Sequence, residues 1–126
     1  MRRVTIVLLA LAVAACGGGS ESEETTTTIA TGTGDAARGR EIFNGTCIAC
    51  HGPGGIGVEG LGKPLTTSEF AAGLTDTELL AFLDIGRAAD DPLNTTGVLM
   101  PPRGGSPSLT DSDLIDVIAY VRTING

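Results

Sequence analysis

Cys47-Ile48-Ala49-Cys50-His51 is the stretch of this sequence that decides its fold. It places two thiols three residues apart and an imidazole directly after the second thiol. The chain has 126 residues with three Cys and one His, so this pentapeptide holds two of the three cysteines and the sole histidine. Met100 is the only methionine apart from Met1. Side chains able to bind a soft metal are therefore few, and most of them lie at one point of the chain.

The spacing C-x-x-C-H is that of covalent haem attachment. Two thiols on one helical turn can each add to one of the two vinyl groups on a haem edge, and the adjacent imidazole then binds the iron. We therefore predict that Cys47 and Cys50 form the thioethers and that His51 is the proximal iron ligand. One covalently attached haem c is the expected cofactor.

Three other kinds of site use the same residue types. A redox-active disulfide shares the C-x-x-C spacing, but it is expected between a strand and a helix, and the histidine adds nothing to it. A zinc site needs four ligands, and the folded part of the sequence supplies no Cys or His outside the pentapeptide. A structural disulfide across two residues is strained and uncommon. Haem attachment is the interpretation that uses all three side chains and needs no further Cys or His.

Met100 is the predicted second iron ligand. A lone methionine is more often core filler. Met100, however, lies in a Gly- and Pro-rich loop directly before Pro101 and Pro102, which stiffen the backbone around it. A thioether held in this way is a good soft ligand, and His/Met ligation raises the reduction potential. The alternatives are water, which would leave the iron open to substrates, and Lys63, the only lysine.

The N-terminal part of the chain is predicted to lie outside the folded domain. Residues 1–15 have the pattern of an export signal: basic residues, then an apolar stretch, then small residues before Cys16. That ending resembles the bacterial lipoprotein box, in which cleavage precedes the cysteine and its thiol carries a diacylglycerol. An ordinary signal peptide with a stray cysteine is the alternative. Residues 16–34, rich in Gly, Ser, Glu and Thr, predict a lipidated cysteine followed by a disordered tether.

Residues 35–126 are predicted to form one all-α domain with three to four helices. Asp35, Thr75 and Thr110 are the predicted N-caps, and the two threonines each have an acidic residue three positions later, as in a capping box. Gly86 is expected to end the middle helix. No alternating strand pattern of useful length is present.

The connections between the helices are unusually long and rich in Gly and Pro. Residues 47–65 and 87–109 exceed the usual length of a helix connection in a small bundle. A short helix is predicted over residues 68–72. Aromatic residues make up 3% of the chain and there is no Trp, so few bulky side chains are available to fill a core. We expect the loops to wrap the haem, and the protein without haem to be largely unfolded.

Net charge and hydropathy restrict the partners and the membrane attachment that are expected. The formal net charge is −7, from 15 acidic and 8 basic residues, which argues against nucleic acid as a ligand. It favours instead a protein partner with a basic docking face. The single long apolar run, within residues 4–15, is too short to span a bilayer. A lipid anchor is therefore the only membrane attachment expected.

From residue 34 onward the sequence resembles the bacterial monohaem class I cytochromes c, here in a lipoprotein-anchored form. Gly39 and Phe43 precede the first motif cysteine by eight and four residues, as in that family, and Tyr120 matches the aromatic of the last helix that packs against them. The resemblance implies a cytochrome c fold around one haem. It also implies an electron carrier rather than an enzyme, with membrane redox complexes as partners and no small-molecule substrate.

The resemblance further implies a proline whose carbonyl accepts a hydrogen bond from the second imidazole nitrogen of the proximal histidine. Pro64 is the best match. Arg87 and Arg103 are the candidates for pairing with haem propionates, although an exposed arginine is the commoner outcome. Residues 84–98 are longer and more polar than in the smallest members of the family. The pattern assigns no role to three polar residues of this segment: Asp90, Asp91 and Asn94.

Three functions compete at this point. A lipid-anchored electron carrier on the outer, extracytoplasmic face of the cell membrane (the periplasmic side in a Gram-negative cell) requires a coordinatively saturated iron. A small haem enzyme requires an open iron site and a distal acid–base residue, for which the sequence offers no second histidine. A fixed haem c subunit of a larger respiratory or oxidising complex would share the chemistry of the carrier. The mobile carrier is the preferred interpretation, because a flexible tether suits movement between partners.

Overall fold

The computed structural model of this protein describes residues 34–126, and Cys16 with the predicted signal and tether residues before position 34 lies outside the described residues. The described part is all-α, which confirms the predicted fold class. Its α-helices are α1 (Ala36–Thr46), α2 (Ile48–His51), α3 (Glu69–Gly73), α4 (Asp76–Ile85) and α5 (Asp111–Ile124). Single 3-10 turns occupy Pro53–Gly55 and Pro102–Gly105. None of the helices between residues 34 and 126 has the length and apolar character needed to cross a membrane.

The helices begin where their capping residues predict. Asp35 accepts hydrogen bonds from two backbone N–H groups in the first turn of α1. Thr75 before α4 and Thr110 before α5 each form a complete capping box with the acidic side chain three residues later. Ser68 caps α3, one residue before the helix begins. The expected starts of these four helices are therefore confirmed to within a residue.

The short helix α2 is the helical turn expected for the two motif thiols, and it lies at the start of the segment predicted as a long loop. Cys47 N donates to Phe43 O at 2.8 Å, so the helical path of α1 continues into the C-x-x-C-H stretch. His51 N then donates to Cys47 O at 3.0 Å, closing one further turn. Gly52, with φ 71°, ends that turn. The prediction that residues 47–65 form one loop is wrong at its start, because no Gly or Pro lies between Thr46 and Gly52.

The centre of the fold is the crossing of α1 and α5. A Cβ on Gly39 would lie 1.8 Å from Asp116 O, so the two helix backbones touch and a side chain has no room there. Phe43 is fully buried, and its ring lies 5.3 Å from that of Tyr120 at an angle of 59°. Such tilted aromatic pairs contribute about 0.5–1.5 kcal/mol beyond the area that they bury.

A buried carboxylate ties the start of α1 to α5. Asp116 is 6% exposed, and its two oxygens accept hydrogen bonds from Asp35 N at 2.7 Å and from Arg38 Nη1 at 2.6 Å. Arg38 also pairs with Asp113, one turn earlier on α5. Because both oxygens of the buried carboxylate are paired, its desolvation is offset by charge-assisted hydrogen bonds.

Arg122 connects the other end of α5 to the corner between α3 and α4. Its guanidinium donates to three oxygens of that corner: Asp76 Oδ1, Ala71 O and Leu74 O. Two of these are backbone carbonyls at the end of α3, where helix carbonyls lack partners within the helix. The α3–α4 corner is thereby held against α5, which closes one side of the cavity described below.

Candidate functional site

A cavity of about 200 Å³ opens beside α2. Cys47, Cys50 and His51 line one part of it, and Met100 lines another. Most of the remaining wall consists of apolar side chains from α4, α5 and the long loops. The fold therefore brings the four residues predicted to bind haem and iron onto one largely apolar cavity. Two thiols, one imidazole and one thioether, set in apolar walls, are the donor set that suits a haem.

The competing interpretations of the C-x-x-C-H stretch find no support in this geometry. No disulfide joins Cys47 to Cys50. Among residues 34–126, no group of three or more His, Cys, Asp or Glu side chains is placed to hold a metal ion. The described part of the chain therefore does not bring together even three of the four ligands that a zinc site needs.

Burial changes the chemistry of the first motif thiol. Burial raises the pKa of the Cys47 thiol to about 11, and the nearby Cys50 adds a smaller contribution in the same direction. The thiolate is the nucleophilic form of cysteine, so in a folded chain without haem burial disfavours the reactive form of Cys47.

His51, the last residue of α2, is oriented by a backbone carbonyl. Its Nδ1 lies 2.9 Å from Lys63 O. A carbonyl oxygen can only accept, so Nδ1 carries the proton and donates it. In the neutral imidazole this hydrogen bond selects the tautomer whose second ring nitrogen, Nε2, is free to bind a metal, as in other histidine ligands whose tautomer is set by a hydrogen bond.

The acceptor of this hydrogen bond is Lys63 rather than the Pro64 that the family pattern suggested. Gly62 O accepts from Val58 N at 2.9 Å, on one side of an extended segment. Successive carbonyls of an extended chain point to opposite sides, so the next carbonyl, that of Lys63, faces the imidazole. The prediction of Pro64 was therefore wrong by one residue.

The backbone of Met100 is held by hydrogen bonds within the long connection between α4 and α5. Its N–H donates to Arg87 O at 2.9 Å, and its carbonyl accepts from Arg87 N at 2.8 Å. Gly86, directly after α4, has φ 72°, and a Cβ there would lie 2.2 Å from Met100 O. The residue before Arg87 must therefore be glycine for this pairing to form. The backbone of the predicted distal ligand is fixed to the end of α4.

Comparison with known proteins decides the family. The protein-family profile described as "Cytochrome c" matches residues 36–125, which is most of the chain. The chain belongs to the cytochrome c family. This cytochrome therefore carries covalently bound haem c, as members of the family do.

Two kinds of relative are similar to this cytochrome. It is 41% identical over 93 residues to the cbb3-type cytochrome c oxidase subunit FixP of Bradyrhizobium diazoefficiens, covering 73% of this chain and 28% of that subunit. It is 33% identical over 87 residues to cytochrome c-554(548) of Halomonas halodenitrificans, and 28% identical over 88 residues to cytochrome c-555 of Chlorobaculum thiosulfatiphilum. Each of those two alignments covers 69% of this chain and 93% of the relative. The chain spans less than a third of the oxidase subunits that it matches. No solved structure matches it significantly.

The two arginines named as propionate candidates both border the cavity of the cytochrome. The guanidinium of Arg87 lies over the rings of Phe70 and Phe82, 4.4 and 4.9 Å from their centroids. Such cation–π contacts favour a fixed position for the charge. The side chain of Arg87 is 16% exposed, so the expectation of an exposed arginine does not hold for it.

Arg103 has a different environment. Its guanidinium donates to Leu109 O at 2.7 Å and pairs with Asp84 and Asp111 at 2.5 and 2.7 Å. Its backbone has φ 52°, the only positive value among the non-glycine residues from 34 to 126. This arginine therefore joins the end of α4 to the start of α5, and its charge is already balanced by two carboxylates.

Asn94 is the residue at this site that sequence reasoning missed. Its side-chain amide makes five hydrogen bonds within the loop between Arg87 and Met100. The following residues Thr95-Thr96-Gly97 are typical of an Asx turn, so the sequence did carry a local signal. The bonds that reach back to Ala88 and forward to Val98 carried none, because they depend on how the loop folds on itself.

Proposed function

We propose that this protein passes single electrons between extracytoplasmic redox partners, with haem c held by Cys47 and Cys50 and ligated by His51 and Met100. The observation that carries this proposal is the placement of all four side chains on one apolar cavity. Haem iron supplies one-electron chemistry when it is bound there, and His/Met ligation favours a high reduction potential.

The protein's own residues support a saturated iron site rather than a catalytic one. Lys63 O holds the His51 ring in the tautomer that presents Nε2. The paired backbone of Arg87 and Met100 places the thioether-bearing residue at the cavity. An enzyme would need an open position and a distal acid–base group, and the sole histidine of the chain is already used.

The walls of the cavity suit electron transfer for a second reason. Leu79, Val117 and Ile118 are buried, and each lines the cavity. Apolar walls exclude water and lower the local dielectric constant, and both effects tune the reduction potential of a metal site. The same residues also belong to the hydrophobic core, so the redox site and the core are continuous.

The decisive experiment compares optical spectra of purified holoprotein variants. In Met100→Ala we expect the far-red sulfur–iron charge-transfer band to disappear and the reduction potential to fall, because the thioether ligand is lost. Lys63→Ala is the matched control: it removes the only competing amine and retains the carbonyl that contacts His51, so the band should remain. An unchanged spectrum in Met100→Ala contradicts the ligation. Rapid binding of carbon monoxide by the reduced native protein would favour an enzyme.

We further propose that the protein is a lipoprotein on the outer face of the cell membrane. Residues 1–15 would be the cleaved signal, Cys16 the lipidated residue, residues 16–34 the tether and residues 35–126 the cytochrome c domain. The support is the signal-like sequence before Cys16. In Cys16→Ser the protein should move from the membrane fraction to the soluble fraction, and retention at the membrane contradicts the anchor.

The proposed partners are membrane redox complexes that present a basic docking face. The support is the excess of acidic residues, which predicts electron exchange that slows as ionic strength rises. A second candidate is a fixed subunit of an oxidase complex, because relatives include cbb3-type oxidase subunits. Purification in mild detergent separates the two: a carrier is released alone, whereas a fixed subunit copurifies with its complex.

A further inference from the structure

We propose that Asn94 is a positioning residue for Met100, and that its side-chain amide holds closed the loop that presents Met100 to the cavity. We call residues 87–100 the strap. Its first arm is residues 87–94, its tip is residues 95–97 and its returning arm is residues 98–100. The inference rests on the proposed function, in which Met100 ligates the iron. The observation behind it is that one amide joins both arms of the strap.

The backbone of the strap makes few hydrogen bonds of its own. At its base, Arg87 and Met100 exchange two backbone hydrogen bonds. Between these ends, the backbone-to-backbone bonds of the described structure are two: Asp91 N to Ala88 O at 3.3 Å and Asn94 N to Asp91 O at 2.8 Å. Both lie in the first arm, so no backbone bond joins that arm to the returning arm above the base.

Asn94 supplies the missing connection through its side chain. Its Nδ2 donates to Ala88 O on the first arm and to Val98 O on the returning arm, each at 2.8 Å. Its Oδ1 accepts from Thr96 N, Thr96 Oγ1 and Gly97 N at 3.0–3.1 Å, which fixes the tip of the strap. The amide therefore uses both its donors across the arms and its acceptor at the tip.

The position of these bonds relates Asn94 to Met100. Val98 lies two residues before Met100, and both residues line the cavity. The base of the strap is anchored independently, since the Arg87 guanidinium stacks on Phe70 and Phe82. Loss of the cross-arm bonds should therefore leave the base in place and let the returning arm open. An opening of this kind lets other iron ligands compete with Met100 without unfolding the rest of the protein.

The test uses the holoprotein and the variant Asn94→Asp. The carboxylate keeps the acceptor for the tip but removes both donors across the arms. Asn125→Asp is the matched control, because Asn125 Nδ2 also donates to two backbone carbonyls, Leu65 O and Ser68 O, far from the strap in sequence. The probe is imidazole added to the oxidised protein, followed by loss of the sulfur–iron band. The melting temperature is recorded alongside.

We expect imidazole to displace the methionine about tenfold faster, or more, in Asn94→Asp, the increase expected when two hydrogen bonds no longer hold the closed form. Asn125→Asp should stay within about twofold of the native rate even if its melting temperature falls as far, since its bonds do not hold the strap. Equal rates in the native protein and Asn94→Asp overturn the inference, and so does an equal acceleration in Asn125→Asp.

The outcomes for the inference and for the proposed function are distinct. Native protein without a sulfur–iron band overturns the Met100 ligation itself. If Asn94→Asp yields no holoprotein, Thr96→Val decides instead, because it removes the Oγ1 contacts with Asn94 Oδ1 and Val98 N. A rate about threefold above the native one is then expected, from the loss of weaker contacts at the tip. An unchanged rate in Thr96→Val overturns the inference.

Discussion

The α1–α5 crossing and the loops around the cavity are built in different ways. At the crossing, Gly39 lets two helix backbones touch, and Phe43 and Tyr120 bury their rings against each other. Around the cavity, order depends on glycines with positive φ and on single polar side chains such as Asn94. The crossing is therefore held largely by contacts within the chain, whereas the packing of the loops depends more on the cofactor.

Removal of the cofactor should have the largest effect on the stability of the fold, and the loops should be affected most. In the double variant Cys47→Ser/Cys50→Ser, haem is not attached, and the eight buried hydrophobic residues of the described structure are left to stabilise the fold. We expect loss of the cooperative thermal transition and a clear fall in helical circular dichroism.

The native holoprotein provides the reference for this experiment. Residual helix in the double variant should belong to α1 and α5, which hydrogen-exchange protection can locate. A cooperative transition with native helicity in the double variant would show that the loops are as complete as the crossing, and would remove the contrast between them.

A second variant tests the close approach of α1 and α5 at their crossing. In Gly39→Ala the new Cβ would meet Asp116 O at 1.8 Å, so the helices must separate, and we expect a loss of about 3 kcal/mol in the free energy of unfolding. Gly45→Ala is the control: it lies on the same helix with nothing within 4 Å of the added carbon and should stabilise by about 0.5 kcal/mol. Denaturant titration of both holoproteins gives the values. A neutral Gly39→Ala contradicts the close approach.

The smallest effect concerns pH at the start of α5. Hydrogen bonds from Thr110, with Arg38 nearby, hold the pKa of Asp113 below its usual value. A carboxylate with a lowered pKa stabilises the fold above its unfolded pKa, and this contribution is lost as pH falls through the folded value. Asp113→Asn should therefore lose less stability than the native protein between about pH 5 and pH 2.

Asp90→Asn removes the same charge from an exposed loop and is the control for this pH profile. Thermal melts at several pH values give the comparison. Parallel profiles for Asp113→Asn and the native protein would show that this cap contributes nothing to acid stability.

Local chemistry explains which parts of the fold were predictable. Asp35, Thr75 and Thr110 satisfy backbone groups within three residues of themselves, so the helix starts follow from a few neighbouring letters. The C-x-x-C-H spacing is local in the same sense, because five adjacent residues are enough to predict haem attachment. The assignment of Met100 as an iron ligand stays a prediction, and its only support in the sequence is local: it is the one methionine apart from Met1, and two prolines follow it.

The errors at Pro64 and Asn94 depend on contacts that form only when the chain folds back on itself. Whether Lys63 or Pro64 faces His51 depends on where an extended segment lies against Val58, and a shift of one residue reverses the choice. The role of Asn94 depends on a loop returning to its own start. Arg103 lies partly buried because two carboxylates from different helices meet there. Sequence spacing carries little information about such contacts.

Tyr120 is the only tyrosine of a chain without tryptophan, so one ring accounts for nearly all of its intrinsic ultraviolet fluorescence. That ring is 8% exposed and lies in the α1–α5 crossing. Energy transfer to a nearby haem quenches tyrosine emission, and separation of the two restores it. The native sequence therefore contains a single built-in optical probe, placed so that its emission reports the opening of the crossing and needs no label.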